Sequence, residues 1–144
     1  MKKLILLLAL PFAIVAGCQS GPTEAEQKTE LESHVIAVHD SAMANMGTII
    51  KLRRNLQALS DSLTAQQTDS TTIKVLQQSV TGLKAADEGM MNWMRNYKAP
   101  DTLQHQQAMT YLQQELQKIE KIKVTMDSTI KAARVIYHQH EPKN

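Results

Sequence analysis

Apolar positions are distributed along this chain in two different ways. From Leu4 to Ile14 they form a nearly continuous run, entered through Lys2 and Lys3. Beyond residue 30 they recur in steps of three and four. Leu31, Val35, Val38, Ala42, Asn45, Ile49, Leu52, Leu56, Leu59 and Leu63 make one such stripe, with Asn45 as its polar member. Spacing of this kind places one face of an α-helix in a core, so it predicts a long amphipathic helix. Polar residues 64–72 interrupt the pattern, and Asp69 or Ser70 can cap a second helix. The stripe of that helix runs from Ile73 through Leu83, Asp87, Met90 and Met94 to Tyr97, where Pro100 stops it. Asp101 with Gln104 looks like a capping-box start for a third helix, whose stripe runs from Met109 through Leu116, Lys123 and Ile130 to Tyr137.

Three long helices joined by two short loops predict an all-α fold, an antiparallel three-helix bundle with coiled-coil-like helices. At ~1.5 Å per residue the second helix spans roughly 40 Å and the other two are longer. Residues 130–140 are therefore expected to overhang the distal end unless the loop over residues 64–72 folds over them. At the other end Thr23 and Glu26 form a capping box, and the acidic turns from Glu24 to Ser33 read as a solvated stalk, helical or frayed.

The apolar run at the start changes the picture of where the bundle works. It ends in Val15-Ala16-Gly17-Cys18, a small-residue cleavage site followed by the chain's single cysteine. It is well short of the ~20 residues that cross a bilayer. This arrangement resembles the signal of bacterial lipoproteins, whose cysteine carries diacylglycerol and becomes the mature amino terminus. The expected organisation is a cleaved signal peptide over residues 1–17, a lipidated Cys18 and stalk over 18–33, a helical bundle over 34–140 and a tail over 141–144. The membrane is then reached through the N-terminal lipid.

Removing Lys2 and Lys3 brings the 16 basic side chains down to the 14 acidic ones. The basic balance of the precursor thus belongs partly to a discarded segment and gives no ground for a nucleic-acid partner. With Cys18 consumed by lipid, no thiol remains for a disulfide or for thiolate metal ligation.

Candidate chemistry concentrates in methionine. Folding the chain at its two turns brings Met43 and Met46 level with Met90, Met91 and Met94, with His39 one turn from Met43, and with His105 and Met109 near the same height. Thioethers with imidazole suit Cu(I), so His39, Met43, Met46, Met90 and Met94 are the candidate metal ligands. Methionine is also an adaptable core filler, and this layer is equally what a plain core requires. His39 is expected to hydrogen-bond Asp87 as the polar pair that sets register. Gly47 and Gly89, at nearly one height, are expected to mark a close helix approach. Trp93 is expected to cap the edge of the methionine layer with its N–H in water, or else to form with Met91 an exposed surface for an envelope protein or cell-wall partner. Nothing in the sequence pairs a nucleophile with a base, so no enzyme is expected and no cofactor is required.

Three blocks carry a resemblance: His39-Asp40-Ser41-Ala42-Met43-Ala44-Asn45-Met46 followed by Ile50-Lys51-Leu52, Ala86-Asp87-Glu88-Gly89-Met90-Met91-Asn92-Trp93-Met94-Arg95, and Met109-Thr110-Tyr111-Leu112. They resemble a family of small Bacteroidota lipoproteins, some labelled viral A-type inclusion protein-like, a label that reflects coiled-coil character. The resemblance spans most of residues 34–130. It implies a helical lipoprotein and no established activity. Such lipoproteins are sorted outward by acidic residues just after the lipid cysteine, and Gln19-Ser20-Gly21-Pro22 lacks them, which implies an outer-membrane protein facing the periplasm.

Overall fold

The computed structural model describes residues 21–67 and 69–141, and within them the regular structure is entirely helical: α1 (Glu24–Met43), α2 (Met46–Ala65), α3 (Ser70–Asn96) and α4 (His105–His140). The helices pack as a bundle of three rods. The first rod is broken, because the first stripe forms two helices instead of one. At the break Ala44 and Asn45 keep αR backbone angles, yet the Asn45 N–H bonds the carbonyl of Ala42, three residues back, instead of four. Asn45 makes no capping bond to α2. Its amide instead donates to Asp127 Oδ1 on α4 at 3.0 Å. Asparagine is a weak helix former because its side chain competes for hydrogen bonds, and here an interhelical partner captures it. The break lets α1 lie mainly along α4 and α2 mainly along α3, with α4 against all three.

Local chemistry sets most of the ends. Thr23 Oγ1 accepts the Glu26 N–H at 3.2 Å while Glu26 Oε2 accepts the Thr23 N–H at 2.7 Å, a complete capping box. Asp69 accepts the N–H groups of Thr71 and Thr72 and starts α3. Between α2 and α3, Gln67 adopts the left-handed conformation (φ 52°) usually filled by glycine after a helix. The expected Asp101–Gln104 box does not form. Gln104 is the N-cap of α4 without a side-chain bond, and Asp101 stays in the preceding turn, 3.9 Å from Lys28 Nζ.

The three stripes meet in one core. Ile49, Leu56, Leu76, Leu83, Met90, Leu112, Ile119 and Met126 are fully buried, each where the three-four spacing puts it. Residues 24–33 are turns of α1 with most of their side chains exposed, while Leu31 packs against the core and Glu32 accepts the Tyr97 O–H at 3.3 Å. One expectation about the ends is corrected. Residues 128–136 run beside Val75–Gly82 of α3, and Arg134–His138 beside Thr48–Asn55 of α2, so the last turns of α4 are covered instead of overhanging. The expected approach at Gly47 and Gly89 is also corrected. A Cβ at either would meet nothing within 4 Å, whereas a Cβ at Gly82 would lie 3.5 Å from the Thr129 methyl. Gly47 is exposed.

Candidate functional site

The chemistry-bearing residues gather where α1, α3 and α4 meet, around the only tryptophan. Trp93 follows Met90 by three residues on α3, which puts both on the core face, and it is 6% exposed. Its ring stacks on His39 of α1 at 5.4 Å and on Tyr97 at 4.9 Å, and Tyr97 stacks on Tyr111 of α4 at 6.3 Å. Four rings from three helices thus form one ladder. Apart from His39 Nε2, its polar ring atoms have partners within the protein. The indole N–H donates to Glu115 Oε2 at 2.9 Å, and Tyr111 Oη accepts the Lys98 N–H at 3.0 Å, closing the α3–α4 turn. Burial, and after it the charge of Glu32, holds the Tyr97 phenol well above the ordinary tyrosine range, so it remains a hydrogen-bond donor to Glu32.

Glu115 is the residue that sequence reasoning missed. It is 5% exposed, and its second oxygen accepts Lys118 Nζ at 2.7 Å. That bond, more than the charge alone, raises the Lys118 pKa above the usual lysine value. A charged residue three after Leu112 and four before Ile119 could have been placed on the buried face by periodicity, but its type argued for solvent. What makes it buriable is the indole donor on α3.

This bears directly on the expected partner surface. Met91 is exposed at 41%, but Trp93 is buried with its N–H satisfied by Glu115, so the two do not form one exposed patch. Trp93 caps the core, and its N–H is not in water. Beside it Gly89, Asn92, Asn96, Glu115, Lys118 and Lys121 line an open groove of ≈ 480 Å³ between α3 and α4.

His39 does not meet Asp87. Asp87 is held by Arg53 of α2 at 3.2 Å, while His39 Nδ1 lies 2.9 Å from Oδ1 of its neighbour Asp40. His39 Nε2 is buried and has no hydrogen-bond partner. Of the thioethers, Met90 is fully buried, and Met43, Met46 and Met94 are partly buried against the same core. Met109 lies elsewhere, with Gln27, Leu31 and His34 near the start of α1. Among the described residues no three His, Cys, Asp or Glu side chains converge as a metal site would require. Cys18 lies outside the described residues. Comparisons of the chain with protein-family models, curated proteins and solved structures return no match.

Proposed function

We propose that this chain is a lipid-anchored, non-enzymatic helical-bundle lipoprotein of the bacterial cell envelope, working as a binding or structural module for an envelope protein or a cell-wall component. The observation that carries the reading is the lipobox Val15-Ala16-Gly17-Cys18 closing an apolar run too short to span a bilayer. Among the described residues no helix is long and apolar enough to cross a membrane.

The position of α1 gives the anchor a consequence. Only Gln19 to Thr23 separate Cys18 from the first turn of α1, a reach of under about 20 Å at ~3.5 Å per residue. Because the turns that follow lie beside Asp101 and Met109, the tether holds the α3–α4 turn towards the lipid and directs the α2–α3 turn away from it. Partners would be met on the distal half and the flanks. The lack of acidic residues after Cys18 supports an outer-membrane location facing the periplasm.

Metabolic labelling with a radioactive fatty acid tests the reading. The expected outcome is label in the wild-type chain, none in Cys18→Ser, and accumulation of uncleaved precursor in the variant. Equal labelling of the two, or normal processing of Cys18→Ser, overturns it.

A further inference from the structure

We propose that His39 and the methionine layer beside it form a binding site for a soft monovalent d10 metal ion, Cu(I) in a cell and Ag(I) as its laboratory stand-in. A carboxylate only accepts, so the 2.9 Å bond between Asp40 Oδ1 and His39 Nδ1 places the imidazole proton on Nδ1. In the neutral ring Nε2 then carries a lone pair. That atom is buried and meets no donor. A histidine with Nδ1–H on a carboxylate and Nε2 open is the arrangement of a metal-ligating imidazole, in which the outer partner fixes ring orientation and raises ligand basicity.

The helix register supplies the remaining donors. Glu32 pairs with Tyr97 and His39 with Trp93, so rising along α1 means descending along α3, and the two are antiparallel here. One turn above His39 is Met43, and one turn back from Trp93 is Met90, both on the faces that carry the stacked pair. The two thioethers therefore lie level with each other on one side of the His39–Trp93 stack, both packed in the same core cluster. Met46, first residue of α2, and Met94, next to Trp93 in sequence, are partly buried against the same core. One imidazole with two or more thioethers is a donor set that selects Cu(I) over Zn(II), which prefers thiolate, imidazole and carboxylate. The three central ligands come from α1 and α3 alone, and the site does not depend on Cys18 being lipidated.

Trp93 provides the readout, since the only tryptophan of the chain stacks on the proposed ligand. The experiment uses the full chain carrying Cys18→Ser in detergent, so that no thiol competes. Ag(I) titration followed by Trp93 emission is expected to saturate at one equivalent, and Cu(I) to be retained against a chromophoric Cu(I) chelator. His39→Ala and the shape-conserving pair Met43→Leu and Met90→Leu should each weaken Cu(I) retention by at least about tenfold, and Asp40→Ala by on the order of tenfold. Met109→Leu should leave it unchanged. If His39→Ala does not fold, the methyl resonances of the folded protein decide: those of Met43 and Met90 should shift with Ag(I) while that of Met109 stays. No retained Cu(I), binding indifferent to the Met43 and Met90 variants, or shifts confined to Met109 would each show the layer to be core packing only.

Discussion

Trp93 on α3 donates its indole N–H to the buried carboxylate of Glu115 on α4 at 2.9 Å, and this one bond joins the aromatic ladder to the ion pair with Lys118. Glu115→Ala would leave a buried indole N–H without an acceptor, a loss of about 1–3 kcal/mol. Glu115→Gln keeps an acceptor oxygen in the same place and should cost less than Glu115→Ala. Urea unfolding followed by Trp93 emission measures both, and equal losses would mean that side-chain packing, not the hydrogen bond, is what Glu115 contributes.

Arg53 and Asp87 hold α2 to α3 at 3.2 Å, both only partly exposed. A double-mutant cycle with Arg53→Met and Asp87→Asn should give a coupling of about 0.5–1 kcal/mol. The corresponding cycle between His39 and Asp87 should give none, because His39 turns to Asp40. A sizeable His39–Asp87 coupling would contradict this arrangement of α1.

Gly47 and Gly89 sit inside helices with open space where a Cβ would point. Glycine in a helix costs roughly 0.5–1 kcal/mol relative to alanine, so Gly47→Ala and Gly89→Ala should each stabilise the bundle by about that amount. Thermal unfolding gives the answer, and a drop in midpoint for either variant would mean that a helix does approach closely there.

The capping box at Thr23 makes the first turn of α1 sensitive to acid. The Thr23 N–H, and then its hydroxyl, hold the Glu26 carboxyl below its ordinary value of 4.5. A group whose pKa is depressed in the folded state contributes stability that is present above the unfolded value and is lost as pH falls through the folded one. The first turn should therefore fray only below the ordinary glutamate range. A carboxyl NMR titration should find Glu26 depressed in the wild type and moved only part of the way towards 4.5 in Thr23→Ala, which removes the hydroxyl and keeps the backbone N–H; an undepressed value in the wild type would contradict the capping box.

The helices and their buried faces were legible because they depend on neighbours in sequence. Residues three and four apart share a face whatever the rest of the chain does, so Leu56, Leu83 and Ile119 could be placed in the core from spacing alone. Caps at Thr23 and Asp69 are equally local, each closed within three residues. The spacing could not reveal the break at Asn45, since an asparagine on an apolar stripe continues a helix or interrupts it according to what lies opposite. Here Asp127 lies opposite, 82 residues away in the chain. The same holds for Asp87, which takes Arg53 instead of His39, and for Glu115, which is buried only because Trp93 presents a donor 22 residues away. Periodicity, which the sequence carries by itself, determined which faces are buried. Which polar groups are satisfied between the helices depended on distances that only the packed bundle creates.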